Sequence, residues 1–261
     1  MQSKLAKRRR MQRIFRENGR SLIVAIDHGS FMNVLPHAAD PGRILDEVRE
    51  GGADAVLTTM GIASTFADRF GRMSLIMRVD GAGSNLDNSM VFEQRYTVED
   101  ALRLGADAVA AMGFPGVNQG QTLHNLARIA GQCIAWNMPL LAEMMPGGFD
   151  KSVHTPENIT LASRIGAEVG ADIIKTLYTG DVSTFSSLTS GVFAPVVVLG
   201  GSKQESDADL LGMVHSAIQG GASGVAVGRN VWRHANTRGI VRALARIIHE
   251  DATVDQALTE L

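Results

Sequence analysis

Lys175 ends the apolar run Asp172-Ile173-Ile174. In that setting desolvation disfavours the ammonium form, and a free amine becomes available to attack a carbonyl. The chemistry this suggests is imine formation. A lysine that reaches from a strand end to a salt bridge is the competing reading of the same position. Other apolar runs end in polar residues too: Asp27-His28-Gly29, Arg78-Val79-Asp80-Gly81, Glu143, Gly200-Gly201-Ser202-Lys203 and Gly228-Arg229-Asn230. Gly200, Gly201 and Gly228 let backbone N–H groups approach an anion closely, and Lys203 and Arg229 add positive charge. With Ser202 between them, these residues form a candidate phosphate site on two consecutive segments.

Such residues act together only if their strands converge, and the sequence says how. A phrase recurs four times in which a helix ends at glycine and a hydrophobic strand follows: Gly51-Gly52-Ala53-Asp54-Ala55-Val56, Leu104-Gly105-Ala106-Asp107-Ala108-Val109, Val169-Gly170-Ala171-Asp172-Ile173-Ile174 and Gly220-Gly221-Ala222-Ser223-Gly224-Val225. Glycine supplies a left-handed helix cap, and the β-branched run suits a strand buried on both faces of a parallel sheet. Filling the intervals predicts strands over 22–26, 55–59, 74–79, 108–112, 139–143, 173–176, 195–199 and 224–227. Helices are predicted over 40–50, 98–104, 121–136, 156–169, 206–219 and 238–249. Eight alternating units predict an α/β fold, a (β/α)8 TIM barrel, with an open doubly wound sheet as the alternative. Active sites of such barrels form at the carboxyl ends of the strands, where the polar residues above fall.

The chain has 261 residues, 45% of them apolar, and a formal charge of −2. That length suits one barrel domain over 1–261, and no linker is visible. Residues 1–20 read as a basic N-terminal helix whose Leu5, Met11, Ile14 and Phe15 cover the barrel floor or a subunit contact. The charge balance argues against nucleic acid as a partner, and no apolar run approaches a membrane span. The lone Cys133 reads as a core filler, and with no secretory signal visible the expected location is the cytoplasm. The seven histidines show no metal-ligand spacing, so no metal is expected.

The motifs Arg10-Met11-Gln12-Arg13-Ile14-Phe15, Val24-Ala25-Ile26-Asp27-His28-Gly29, Gly170 through Asp181, Pro195 through Lys203 and Gly224 through Trp232 resemble those of the archaeal-type class I fructose-bisphosphate aldolases. The resemblance extends to their relatives, the aminodideoxyheptulosonate synthases and the thiolase that degrades a phosphorylated autoinducer. It spans essentially the whole chain. It implies that Lys175 is the Schiff-base lysine, that the Gly200 and Gly228 loops hold a substrate phosphate, and that Asp27 contacts substrate or assists proton transfer. It also implies a homo-oligomer, large and ring-like, with a decamer as one candidate.

One departure stands out. Aldolases of this kind carry a Tyr-Pro-Arg-Gly phrase after strand five, and here it reads Met145-Pro146-Gly147-Gly148. Neither the tyrosine proton shuttle nor the arginine is present, so cleavage of fructose 1,6-bisphosphate is expected to be very slow. Candidates for the missing acid–base group are Glu143, Asp27, His28, Asp80 and Tyr178, with Glu143 equally readable as an ion-pair partner of Lys175 or Arg78. The segment from Arg78 to Ser84 resembles the thiolase branch, which places Arg78 and Asp80 among the candidate substrate-binding residues. The leading expectation is therefore a cofactor-free class I aldolase acting on a phosphorylated ketose or hydroxyketone. One alternative keeps the lysine but transfers an acyl group from a phosphorylated dicarbonyl to coenzyme A as co-substrate. Another is a catalytically silent sugar-phosphate-binding barrel.

Overall fold

The computed structural model describes residues 3–30, 38–82, 84, 91–117, 120–201 and 206–261. Eight parallel strands close on themselves: β1 (Ser21–Ala25), β2 (Ala55–Thr58), β3 (Ser74–Arg78), β4 (Ala108–Gly113), β5 (Leu140–Met144), β6 (Ile173–Thr176), β7 (Val196–Leu199) and β8 (Gly224–Val227). Each pairs with its neighbours in chain order, and β8 returns to β1 through Ser21↔Gly224 and Leu22↔Val225. That last pairing excludes the open sheet. Two short pieces, Asp80–Gly81 and Glu93–Gln94, form an antiparallel pair above β3.

Helices α1 (Ser3–Ile14), α2 (Pro41–Gly51), α3 (Met60–Thr65), α4 (Val98–Arg103), α5 (Gln121–Trp136), α6 (Pro156–Val169), α7 (Val182–Gly191), α8 (Asp207–Gln219), α9 (Arg229–Trp232), α10 (Thr237–Glu250) and α11 (Val254–Leu258) occupy the intervals. Several residues expected to open helices cap them instead. The Asp40 side chain accepts from Arg43 N, and Ser206 makes a reciprocal capping box with Asp209. Helix α7 was not expected, because its sequence VSTFSSLTSG offers few strong helix formers. It forms because the Asp181 carboxylate caps Ser183 N and Thr184 N while Phe185 and Leu188 bury themselves inward.

The recurring phrase does two jobs. Gly52, Gly105, Gly170 and Gly221 all adopt positive φ at the helix ends, as a residue without Cβ can. The aspartates that follow in three of the copies sit on the floor, each binding a backbone N–H of the preceding strand or its edge: Asp54 to Leu22, Asp107 to Leu75 and Asp172 to Leu140. Helix α1 closes over them. Lys7 pairs with Asp172 at 2.9 Å and Arg13 with Asp107 at 3.0 Å, while Arg16, just past the helix, pairs with Asp54 at 2.5 Å. Ile14 is fully buried among the inward residues Ile23, Ala25, Leu57, Ile76, Leu141 and Ile173, with Met11 and Phe15 packed alongside. Leu5 remains exposed. Among the described residues no helix is long and apolar enough to cross a membrane.

Candidate functional site

Side chains alternate across a strand, so the residues two positions beyond the inward apolar layer also point into the barrel, one layer nearer the carboxyl rim. Counting on from Ala25, Ile76, Leu141 and Ile173 gives Asp27, Arg78, Glu143 and Lys175. The barrel thus changes from hydrocarbon to charge within a single layer. Strand register sets Glu143 beside Lys175 on neighbouring strands.

The charges meet in one buried network. Lys175 Nζ donates to Glu143 Oε1 at 2.8 Å. The other oxygen of Glu143 accepts from Arg78, whose guanidinium also donates to Asp27 at 2.5 Å and to Asp80 at 3.2 Å. Arg78 is 3% exposed, so three carboxylates surround a cation almost removed from water. Burial opposes ionisation of Asp27, yet Arg78, His28 and Lys175 outweigh it and hold the carboxyl at about 2. Burial likewise opposes Glu143, and Lys175 followed by Arg78 draw it below the usual carboxylate range. Asp80 moves upward because burial prevails, even though Arg78 and Met112 N bind it. His28 is pushed down by burial, which Asp27 partly offsets and Lys175 and Arg229 reinforce. Its ring stands edge-on to Trp232, whose indole N–H donates to Ala25 O.

Beyond β7 and β8 lie the glycines expected to bind an anion. Gly201 holds φ +64°, and a Cβ on Gly228 would come within 2.6 Å of Ala25 O, so bulkier residues are excluded there. The side chains of Arg229 and Asn230 bind back to Gly201 O at 3.1 Å and Gly200 O at 2.8 Å, tying the two loops together. Ser202 and Lys203 lie outside the described residues.

A cavity of about 640 Å³, a size that suits a small ligand, opens over this layer. Asp27, His28, Arg78, Glu143, Lys175, Tyr178, Gly200, Gly201 and Arg229 line it. Asp80 and Gly228 stand behind the wall, the first supporting Arg78 and the second packed on Ala25 and His28. Tyr178 contributes its ring to one side, where it leans on Phe185 with its hydroxyl bonded to Ser216. Burial raises that hydroxyl's pKa.

The sequence did not single out the apolar lining of Met112, Phe149, Leu177, Leu199 and Met213, and for Lys151 and His154 it allowed the mouth of the barrel while favouring a solvated loop. Lys151 and His154 line the cavity as well. Met145, at the tyrosine position, also faces the cavity and packs with Ala82, Phe92, Met112 and Phe114. Gly147, at the arginine position, has φ +64°, and a Cβ there would fall 2.3 Å from Val153 Cγ2. No larger side chain fits at Gly147 unless that loop moves. Cys133 is buried on α5, its thiol pushed up to about 12 by desolvation.

A lysine inside a parallel barrel at its carboxyl rim, in contact with a buried carboxylate, is the arrangement of a class: the imine-forming barrel lyases of the class I aldolase type. Comparison with known proteins narrows the class. The DeoC/LacD family aldolase model matches residues 21–234, and the chain belongs to that family. It is 36% identical over 246 residues to the class 1 fructose-bisphosphate aldolase of Thermoproteus tenax, covering 91% of this chain and 92% of that one. It is 32% identical to the 2-amino-3,7-dideoxy-D-threo-hept-6-ulosonate synthase of Halobacterium salinarum, covering 95% and 94%. The fold superposes with a TM-score of 0.85 on an archaeal fructose-1,6-bisphosphate aldolase whose catalytic lysine is covalently bound to the carbinolamine intermediate. That protein is 35% identical, with 93% of this chain and 99% of that one covered.

Proposed function

We propose that Lys175 forms a Schiff base with a phosphorylated ketose or hydroxyketone and that the enzyme makes or breaks the carbon–carbon bond between the α and β carbons of the imine. The observation that carries this is the buried contact of Lys175 Nζ with Glu143 Oε1 at 2.8 Å, at the bottom of the cavity. An ammonium cannot attack a carbonyl, and Glu143 is in place to accept its proton and to return one as the carbinolamine loses water. The iminium then draws in the electrons of the bond between its α and β carbons, which become the double bond of an enamine. Cleavage also needs a base for the hydroxyl proton of the departing fragment. His28, kept neutral by burial, and ionised Asp27 line the same cavity as Lys175 and serve that step, with Tyr178 just beyond Lys175 past the end of β6. Arg78 and Asp80 position these groups through their ion pairs. Gly200, Gly201 and Arg229 take the phosphate. Members of this class need no cofactor for the reaction.

The test is borohydride reduction with dihydroxyacetone phosphate and related phosphorylated ketones, followed by intact mass. An adduct is expected on Lys175 and should vanish in Lys175→Ala; its survival there would overturn the assignment.

A second reading keeps the lysine and passes an acyl group from a phosphorylated dicarbonyl to coenzyme A. It is favoured by Met145, whose thioether cannot move protons where fructose-bisphosphate cleavage calls for a phenol. On either reading fructose 1,6-bisphosphate is cleaved very slowly. Met145→Tyr should produce measurable cleavage if the remaining relay is that of an aldolase, checked by coupled assay of the triose products. Efficient cleavage by the unmodified enzyme would show that Glu143, Asp27 or Tyr178 already does this work.

A further inference from the structure

Breaking the bond between the α and β carbons leaves an enamine, and the product leaves Lys175 only after that α carbon has taken up a proton. This proton is not the hydroxyl proton of the departing fragment, so the site needs a further group to move it. On the reading above, Gly200, Gly201 and Arg229 hold the phosphate beyond β7 and β8, and β6 carries Lys175. A chain that runs from those loops past Lys175 continues toward β5, the strand paired with β6. Met145, just past β5, offers only a thioether there.

His154 stands on that side. It follows a one-turn 3-10 helix, Lys151–Val153, which Asp150 caps by accepting from Ser152 N at 3.0 Å, and it precedes α6, which Thr155 caps. Asn158 Nδ2 donates to Val153 O at 2.9 Å, tying the two pieces together, and Val153 Cγ2 fills the space over Gly147. The imidazole thus held lines the same cavity as Lys175. Its Nε2 lies 3.0 Å from Gly148 O, and a carbonyl oxygen only accepts, so Nε2 carries a proton. In the neutral ring the lone pair is therefore on Nδ1, and among the described residues Nδ1 has no hydrogen-bond partner. The other acid–base groups of the wall are engaged. Glu143 holds Lys175 and Arg78 on its two oxygens, Asp27 holds Arg78 with His28 Nδ1 at 3.5 Å, and the Tyr178 hydroxyl bonds Ser216.

Building on the reading of Lys175 as the imine-forming residue, we propose that His154 is the catalytic residue that moves the α-carbon proton. In the cleavage direction, protonated Nδ1 gives its proton to the α carbon. The enamine double-bond electrons form the new C–H bond, the Lys175 nitrogen lone pair closes the iminium, and the N–H electrons stay on the imidazole. Water then hydrolyses the iminium and frees the ketone. In the synthetic direction Nδ1 takes the same proton, and the C–H electrons become the enamine double bond.

Hydrogen exchange isolates this step, because it needs the imine and the carbon proton but no second substrate. In deuterium oxide the unmodified enzyme should exchange a hydroxymethyl hydrogen of dihydroxyacetone phosphate, followed by proton NMR, and should give a borohydride adduct by intact mass. His154→Gln keeps an amide N–H for Gly148 O but has no basic nitrogen. It should slow the exchange by about 100- to 10,000-fold while keeping the adduct. Free imidazole should restore exchange to His154→Ala. Exchange at the unmodified rate in His154→Gln, loss of adduct and exchange together, or a His154→Ala protein that imidazole leaves silent would overturn the assignment. So would an unmodified enzyme that forms the adduct without exchange. If the unmodified enzyme forms no adduct, the Schiff-base reading itself fails and the assignment of His154 falls with it.

Discussion

The floor and the rim of this barrel both pair carboxylates with cations, yet they differ in kind. On the floor, Asp107 and Asp172 each meet one basic residue from α1, and the aspartates also hold backbone N–H groups. The Lys7 and Arg13 ends of these pairs keep contact with water, at 24% and 64% side-chain exposure. At the rim, three carboxylates share two cations, Arg78 and Lys175, and all five side chains are buried. Half-exposed pairs contribute little to stability, whereas charges withdrawn from water cost several kcal/mol unless every partner is present. The floor arrangement fastens a helix. The rim arrangement maintains a lysine against a carboxylate in a place where hydrocarbon would be more stable, as functional sites commonly do.

The largest test of this contrast is Arg78→Met. With its cation gone, the rim holds three buried carboxylates against Lys175 alone, and a loss on the order of 3–5 kcal/mol is expected from urea unfolding at neutral pH. The pH dependence sharpens the point. Asp27 is held near 2 in the folded protein against roughly 3.9 for an unperturbed aspartate, so its contribution is present above the ordinary value and is lost as pH falls from about 4 toward 2. In Arg78→Met burial still disfavours the charged carboxyl without the compensating guanidinium, so acid unfolding should begin at higher pH. An unchanged acid midpoint would show that Arg78 does not hold Asp27 ionised.

Arg229→Ala ranks next. Its guanidinium is half-buried beside Gly201, and a charge-assisted phosphate contact is worth roughly 1.5–3 kcal/mol. Phosphorylated ligands should weaken about tenfold or more relative to their unphosphorylated analogues. Equal weakening of both, measured by competition with borohydride trapping, would assign the residue to loop structure alone.

The floor should respond least. Lys7→Ala removes one partly exposed pair and should cost at most about 1 kcal/mol in the same unfolding experiment. Asp172→Ala should cost more, about 1–3 kcal/mol, because Leu140 N is then left without its acceptor. If Lys7→Ala proved as damaging as Arg78→Met, the distinction between fastening and chemical regions would collapse.

Much of this could be read from the chain. The glycine-capped junctions, the strand runs and the placement of Lys175, Glu143 and Asp27 at the rim follow from patterns a few residues long. Glu143 was left between an ion pair and a proton relay; it contacts both Lys175 and Arg78, and contact with Lys175 is what a proton acceptor there requires. Lys151 and His154 were legible only as loop residues that either face the barrel mouth or stand in solvent, since the 3-10 turn that brings them inward packs Val153 over Gly147. Helix α7 was similarly hidden, its composition being poor for a helix and its capping and burial decisive.

What the sequence by itself determined is therefore the eight strands, most of the longer helices and the layer each strand residue occupies, because alternation along a strand and capping at a helix end are local properties. Which charge meets which was decided only by the closed barrel. Arg78 finds Asp27 across 51 positions and Glu143 across 65, and Lys7 finds Asp172 across 165. Those partnerships depend on the register that brings eight strand ends to one rim and on the burial that makes each unpaired charge costly, and both exist only once the barrel has closed.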